Sequence, residues 1–354
     1  MIIYLTKAKD GDCFVIDFEN GKCILIDGGY NITFDYYLKP LLLELHEQRK
    51  KLEYVISTHY DQDHISGLLE FFYHNGIRGN ERIIPVENVI TNGYGSFSAK
   101  DVQKLIRDSE RPYKDGIHQI SAVQQSELND ICKKNHYPIN ACTNGEFITN
   151  GTIISGTGYT IRILNPTEKS LEKLKKDLAE HIMIPAESIE VQDETHKIAG
   201  TFYTDISQWK SVKKGSRLNN INKASIACEI EFEGKRFLFC GDSEMNDIRD
   251  SLQSHYDVIK LSHHGTYYGN RCFIGEKAVT ADKYIISTNA IREKREHPNR
   301  NLLQGIIMLS HKKEFYCNYD ILHIKNGIYK MLKSKDQQEK YNFSYQSNFK
   351  KIVL

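Results

Sequence analysis

The sequence predicts an α/β protein, and three observations lead to that fold class. Two pairs of short β-rich runs flank the turns Asn20-Gly21 and Glu233-Gly234, and Asn-Gly is a strong hairpin signal. Apolar residues recur at helical spacing over Tyr36–Lys50. Each cluster of His, Asp or Gly-Asp directly follows a short apolar run. Because a rigid sheet holds the loops at the ends of its strands, such loops are where active sites are built.

The individual elements follow in chain order. Helices are predicted at Tyr36–Lys50, at Ile65–His74 and in the charged run 170–181. Strands are predicted at residues 12–18, 22–27, 54–57, 159–164, 224–232, 235–240, 257–261 and 283–288. We expect one domain over residues 1–331 with long helix-rich insertions at about 77–150 and 167–220, and a loosely docked polar tail over 332–354.

Composition narrows the class of protein. The chain has 354 residues, of which 40% are hydrophobic and 26% are charged, which is ordinary for a globular protein with a real core. Its formal net charge of +1 means that non-specific binding to nucleic acid would need a local basic patch. No apolar run reaches the roughly 20 residues that cross a bilayer, and the N-terminus lacks the pattern of a signal peptide. We therefore expect a cytoplasmic protein without a membrane partner.

The cysteines also favour the cytoplasm. All eight are scattered, none forms a Cys-x-x-Cys pair, and several lie inside apolar runs. This pattern indicates reduced, buried thiols rather than a disulfide framework or a cysteine zinc site.

The segment from His59 to His64, HYDQDH, packs two histidines and two aspartates at the end of an apolar strand. Imidazole nitrogens and carboxylate oxygens on one loop can converge on one or two metal ions. An exposed acidic loop with two stray histidines is the alternative. Four ligand-type side chains within six residues favour the metal site.

Three later segments have the same context. Asp242 follows an apolar strand and would be able to bridge two ions, although Gly-Asp is also a common turn. His263 and His264 follow the next apolar strand, where a surface pair is the alternative. His297 precedes a proline, and a structural His-Pro turn is the alternative there. The basic residues that flank it form either a phosphate site or a solvated loop. They are Arg292, Lys294, Arg295 and Arg300.

In this order, the motifs resemble the metallo-β-lactamase fold superfamily and, within it, the hydrolase domain of ComEC-type DNA-uptake proteins. The motifs of this chain are GDCFVIDF with LIDGG, HYDQDH, LNP, NKAS, GDSE, HHGT and EHPN. They lie in scattered blocks over residues 1–75 and 150–331. The combination of HxDxDH, GDxE and HHG[ST] is far more specific than any one of the motifs.

The resemblance implies a four-layer αββα sandwich with a metal centre at one edge of its two sheets. It implies these metal ligands: His59, Asp61, Asp63, His64, Asp242 and one of His263 and His264, with His264 preferred.

The resemblance also implies roles for residues around the ligands. Asp27 would orient the ligand loop, and Asn222 of NKAS would support the centre from behind. His263 would contact substrate, and His297 would stand where a proton donor or an oxyanion contact is needed. Asp63, His263 and His297 are thus the predicted catalytic residues, and Arg295 and Arg300 are the predicted contacts to phosphate oxygens.

Two departures from many members of the superfamily affect the choice of metal. Asp61 replaces the second histidine of HxHxDH, and no histidine between that motif and Asp242 has the context of a further ligand. The candidates in the interval are His74, His118, His136, His181 and His196. Because carboxylates suit harder ions, Mn²⁺ competes with Zn²⁺ for this site. We expect two divalent ions, Zn²⁺ or Mn²⁺, with one position weakly occupied.

Two ions about 3.5–4 Å apart activate a bridging water and stabilise the charge of an in-line displacement. The sequence therefore predicts a metal-dependent hydrolase, a phosphodiesterase or nuclease, whose substrate is a phosphodiester such as a nucleic acid or nucleotide. One alternative is hydrolysis of a lactone, thioester or amide at the same site. Another is a non-catalytic module that binds metal or nucleotide within a larger complex. A protein partner or a homo-oligomer is left open.

Overall fold

The computed structural model describes residues 1–77, 82–92, 116–174, 205–209, 211–212, 214–215, 217–290, 297–322 and 328–354. The strands are β1 Ile2–Leu5, β2 Phe14–Asp17, β3 Lys22–Ile26, β4 Lys51–Ser57, β5 Val86–Thr91, β6 Ile153–Ser155, β7 Tyr159–Asn165, β8 Ala227–Phe232, β9 Lys235–Phe239, β10 His255–Lys260, β11 Thr280–Ile286, β12 Lys313–Cys317, β13 Phe343–Gln346 and β14 Lys351–Val353. The α-helices of four or more residues are α1 Lys39–Glu47, α2 Gln62–Phe72, α3 Gly116–Lys134, α4 Asn220–Lys223, α5 Arg300–Ile307 and α6 Lys335–Lys340. Other helical segments occur at Asn31–Thr33, Phe34–Leu38, Tyr73–Ile77, Ala141–Thr143, Ile206–Gln208, Met245–Ser251, Ser262–Gly265, Tyr268–Phe273 and Ile328–Lys333.

The strands form two sheets that pack face to face. One sheet has six strands in the order β14-β1-β2-β3-β4-β5, and the other has eight in the order β13-β12-β11-β10-β9-β8-β7-β6. Alternate residues of each strand face opposite sides. Ile56 of β4 accordingly joins the core between the sheets, where it belongs with Val258 and Ile285 of the other sheet. Its neighbour Val55 faces the helices on the outside of the first sheet.

Helices cover both outer faces, so the predicted four-layer αββα arrangement is confirmed. Leu42 and Leu45 of α1 pack into the core outside the first sheet together with Leu68 and Phe71 of α2. Leu302 of α5 packs into the core outside the second sheet. The three cores explain why the central strands read as nearly continuous apolar runs, since both of their faces are buried.

The direction of the strands brings the ligand-bearing loops together. In the first sheet β3 and β4 are parallel, and in the second β9, β10 and β11 are parallel. Parallel strands end at the same edge of a sheet. The loops after β3, β4, β9 and β10 therefore carry Asp27, His59–His64, Asp242 and His263-His264 to one end of the sandwich.

Both predicted hairpins are confirmed, since β2 pairs antiparallel with β3 and β8 with β9. The expected loose tail over 332–354 is not what the structure shows. Its strand β13 pairs with β12, and β14 pairs with β1, so the segment adds an edge strand to each sheet. The predicted insertion at 77–150 likewise contains β5, which extends the first sheet beside β4. Most of the predicted insertion at 167–220 lies outside the described residues.

All eight cysteines are free thiols, and seven of them are buried, with Cys142 exposed. Among the described helices, none combines the length and the apolar character that a bilayer crossing requires.

Two glycines allow α2 to pack directly on the loop that follows β3. A Cβ atom at Gly67 would lie 2.0 Å from the carbonyl oxygen of Gly28, and a Cβ at Gly28 would lie 2.3 Å from the amide nitrogen of Leu68. The amide of Gly28 donates to the carbonyl of His64 at 2.8 Å. Glycine at both positions therefore holds the HYDQDH loop and its helix against the loop that carries Asp27.

We expect Gly67→Ala to lower the free energy of unfolding by about 1–3 kcal/mol, because the added methyl group meets backbone atoms that cannot turn away. Gly305→Ala in α5 is the comparison variant, since its Cβ would meet only side-chain atoms, Cγ2 and Cβ of Ile274 at 2.7 Å and 3.0 Å, and a side chain shifts more easily than backbone. Urea denaturation of both variants measures the difference. Equal stabilities for the two variants would contradict this account of the close packing.

Candidate metal centre

Asp27 fixes the first histidine of the centre. Its buried carboxylate accepts hydrogen bonds from the amide and the hydroxyl of Thr58, at 2.8 Å and 2.7 Å. It also lies 2.8 Å from Nδ1 of His64, and both side chains are fully buried. The carboxylate favours the tautomer with the proton on Nδ1, which leaves the lone pair of Nε2 directed away from Asp27. Asp27 thus contacts both the end of β4 and α2, and its role in orienting the ligand loop stays a prediction.

His59 is fixed in the same manner by hydroxyl groups. Its Nδ1 lies 3.0 Å from Oγ1 of Thr58 and 3.3 Å from Oγ of Ser225. Its Nε2 lies 3.7 Å from a carboxylate oxygen of Asp61 and 3.8 Å from one of Asp242. His59 therefore joins the HYDQDH loop of the first sheet to the Asp242 loop of the second.

One oxygen of Asp242 is the point on which the imidazoles converge. Its Oδ2 lies within 3.5–3.8 Å of the Nε2 atoms of four histidines, His64, His264, His59 and His263. Asp63 approaches the same group, with its Oδ2 3.5 Å from Nε2 of His264 and 4.0 Å from Nε2 of His64. This spacing suits ions placed between the atoms, because each ligand atom lies about 2.0–2.2 Å from its metal.

His263 and His264 both reach the centre because the backbone is left-handed at both. Their φ angles are 45° and 58°, in a region that residues other than glycine rarely adopt. Nδ1 of His264 lies 2.9 Å from the carbonyl oxygen of Ser287, so its Nε2 is the atom that faces the carboxylates. The ring of His263 instead lies beside the side-chain amide of Asn222, whose Nδ2 is 3.3 Å from Nδ1.

His297 lies against the same pair of histidines. Its ring stacks on that of His263, with the centroids 5.6 Å apart and the planes 26° apart, and it lies 6.3 Å from the ring of His264. The side chain of His263 is 18% exposed, whereas that of His264 is 5% exposed. His263 and His297 therefore form the more accessible side of the centre, and His264 its buried side.

The buried polar atoms of this cluster fit a metal. Within the described part of the chain, those without a hydrogen-bond partner include Nε2 of His59, His64 and His264, and Oδ1 of Asp61. Such atoms are costly to bury unless something binds them. Metal-ligating sets of three formed by these residues include His59, His64 and Asp242, and Asp63, His64 and His264, each with its ligand atoms within 4.8 Å of one another. The donors would hold one or two divalent ions.

The charges of the cluster act on each other. Burial opposes ionisation of Asp242 and Asp63, but the adjacent histidines outweigh it and hold the pKa of both carboxyl groups well below the usual range. Burial likewise opposes charging of His64 and His264, yet the carboxylates outweigh it and raise the pKa of both imidazoles. For His263 burial prevails and lowers the pKa to about 4. In the metal-free protein, the protons on His64 and His264 thus balance negative charge of the carboxylates, which bound ions would otherwise balance.

The other predicted contacts are placed differently. Arg295 lies outside the described residues. Arg300 begins α5 and is 3% exposed, so its role as a phosphate contact stays a prediction. Of the histidines considered as further ligands, His74 stacks on Phe34 and lies 3.7 Å from Glu70, outside the cluster. The fourth imidazole close to Oδ2 of Asp242 is that of His263.

Sequence reasoning did not assign roles to several residues behind the ligands. Thr58 and Ser225 support His59, and the carbonyl of Ser287 supports His264. Lys260 forms a buried salt bridge with Asp12 behind Asp242. The one available signal was Lys260 itself, a charged residue at the end of the otherwise apolar run DVIKL.

Comparison with known protein families gives one match. Residues 7–88, which include Asp12, Asp27 and the HYDQDH loop, match the family model of the metallo-beta-lactamase superfamily. Over these residues the chain is similar to that superfamily. A comparison with curated protein sequences finds no match.

Several solved structures are similar in fold. Zn²⁺-bound PqqB from Methylobacterium extorquens is 10% identical, with a TM-score of 0.43 over the whole of both chains. The metallo-beta-lactamase fold protein YhfI from Bacillus subtilis is 9% identical, with a TM-score of 0.40 over the whole of both chains. CmlA from Streptomyces venezuelae, a diiron β-hydroxylase, is 12% identical, with a TM-score of 0.40 over all of this chain and 53% of CmlA. The family match over residues 7–88 and the cluster of donors together support a metal-binding site in this chain.

We expect Asp27→Asn to weaken metal binding by about 10–100-fold, since a neutral amide no longer fixes the tautomer of His64 as a carboxylate does. Isothermal titration with Zn²⁺ and Mn²⁺ measures the change. Asp17→Asn is the matched control, because Asp17 is equally buried in the same sheet but pairs with Lys50 at the opposite end of β3. Equal losses of metal affinity in the two variants would contradict the orienting role.

The raised pKa values of His64 and His264 give metal binding a defined pH dependence. Both groups have a folded-state pKa above the usual value of about 6.5, so their contribution to the stability of the metal-free protein is lost as pH rises through the folded-state pKa. Ions compete with these protons, and their affinity rises with pH. We expect the melting temperature with metal minus that with EDTA to grow between pH 6 and 8. An increment that shrinks over this range would contradict the sign.

Proposed function

We propose that this protein is a metal-dependent phosphodiesterase or nuclease. The observation that carries the proposal is the convergence of four imidazole Nε2 atoms on one oxygen of Asp242, with the carboxylates of Asp61 and Asp63 beside it. Such a set of nitrogen and oxygen donors would hold two divalent ions, Zn²⁺ or Mn²⁺. Two bound ions would supply Lewis-acid activation of water and stabilisation of the charge that develops during hydrolysis.

The side chains around the metal centre have separate roles. Asp27, Thr58 and Ser225 hold the rings of His64 and His59 in place. Asp63 lies at the partly exposed rim, with 18% of its side chain accessible, where a substrate oxygen can approach. This orientation lowers the activation barrier, because the reacting groups are held in position before the reaction begins.

His263 and His297 provide the accessible side of the site. Burial lowers the pKa of His263 to about 4, so it is neutral at physiological pH and suits a role as a ligand or hydrogen-bond partner rather than as an acid. His297, stacked against it, is then the side chain we assign to proton donation to the leaving oxygen. The ordering of the motifs, which resembles the hydrolase domain of ComEC-type proteins, supports a phosphodiester as the substrate.

The first test is metal content by mass spectrometry, together with hydrolysis of bis-p-nitrophenyl phosphate and of a simple lactone, each with Mn²⁺ and with Zn²⁺. We expect close to two equivalents of metal and turnover of the phosphodiester. Asp63→Ala should lose metal and lower the rate by more than about 100-fold, since residues that only support the ligands already cost 10–100-fold.

Asp282→Ala is the control, because Asp282 is an exposed carboxylate paired with His255. It should retain both the metal and the rate. Turnover of the lactone alone would favour the carboxylic substrate. Wild-type protein without metal after reconstitution, or full activity in Asp63→Ala, would reject the catalytic proposal and favour a binding module.

A further inference from the structure

Lys260 lies at the end of β10, directly behind the metal centre, and its side chain is 1% exposed. It forms a salt bridge with Asp12, whose side chain is 2% exposed. Its Nζ also donates to the carbonyl oxygen of Gly241 at 3.1 Å. Burying an ammonium group is unfavourable unless carboxylates and hydrogen bonds compensate for the lost water. The position of this charge therefore requires an explanation.

The two oxygens of Asp242 have different surroundings. Oδ2 faces the Nε2 atoms of the four histidines, whereas Oδ1 lies 3.9 Å from Nζ of Lys260. Within the described residues Oδ1 has no hydrogen-bond partner, so Lys260 acts on it through charge. The carboxylate is thus oriented with one oxygen toward the histidines and the other toward the ammonium.

We propose that Lys260 is a positioning residue for the metal centre. Held by Asp12 and by the carbonyl of Gly241, its ammonium keeps Oδ1 of Asp242 on the side away from the histidines, which leaves Oδ2 as the oxygen that would be available to metal. Without that charge, the carboxylate of Asp242 would lose this fixed orientation toward the histidines. The inference rests on the metal centre and does not depend on the class of substrate.

A second buried lysine shows that burial alone does not produce this arrangement. Lys313, at the start of β12, is fully buried and donates to the carbonyl oxygens of Ile307 and Leu309. Burial lowers the pKa of Lys313 to about 8. Burial also acts to lower the pKa of Lys260, but Asp12 and Asp242 outweigh it and raise that pKa. The two lysines differ in their carboxylate neighbours, which makes Lys313 a matched control.

The test compares Lys260→Met, the double variant Asp12→Asn with Lys260→Met, and Lys313→Met. The readouts are the melting temperature, the affinity for each ion by titration with Zn²⁺ and Mn²⁺, and the visible spectrum of the Co²⁺-loaded protein. The double variant removes one positive and one negative charge, so no unpaired charge from this salt bridge stays buried. If Lys260→Met alone does not fold, the double variant still measures how loss of the lysine affects metal binding.

We expect Lys260→Met and the double variant to bind the second ion about 10–100-fold more weakly and to give an altered Co²⁺ spectrum. Lys313→Met should lose stability but keep both ions and the wild-type spectrum. A double variant with wild-type affinity for both ions and an unchanged spectrum would show that Lys260 only neutralises Asp12, and would overturn the inference. Wild-type protein that binds two ions but hydrolyses no phosphodiester would overturn the proposed function alone. Wild-type protein that binds no ion would overturn both.

Discussion

The buried carboxylate of Asp27 is the constraint on which the rest of the site depends. It accepts two hydrogen bonds from Thr58 at the end of β4 and lies within hydrogen-bond distance of His64 in α2. A buried carboxylate is stable only when such partners satisfy it. The end of β3, the HYDQDH loop and α2 are therefore fixed to one another, and Gly28 and Gly67 make the close packing sterically feasible. The left-handed backbone at Asp27, with a φ of 56°, is part of the cost of this arrangement.

The second sheet completes the centre at a further cost in stability. His263 and His264 are both left-handed, which typically costs about 1–3 kcal/mol for each residue. In return, two consecutive imidazoles face one carboxylate of the loop after β9. Mutual neutralisation of carboxylates and imidazoles makes the cluster tolerable without ions, and bound ions would stabilise the folded state further by mass action. The same residues thus lower the stability of the metal-free fold and make the fold suited to hold metal.

The correctly predicted parts of the fold are those with a local signal. The hairpins follow from their turn residues, and strands such as β4 and β10 follow from apolar runs whose two faces are buried. The tail was assigned wrongly because β13 and β14 are four and three residues long, and only alternate residues within them are buried. A short edge strand with one exposed face has little apolar periodicity, so its pairing partner decides its structure.

The sequence by itself determined which side chains stand at the ends of the strands, and HYDQDH, Gly-Asp and His-His already indicated a metal centre. The resemblance carried by their order led us to expect them at one edge, and the parallel strands of the structure explain it, because parallel strands end on the same side of a sheet. Only the tertiary structure decided which atoms meet. It brought both His263 and His264 to Asp242, and it paired Lys260 with Asp12 across 248 residues of chain. The physical reason is that a buried charge is stabilised by partners in space, and their distance along the chain carries no trace of that proximity.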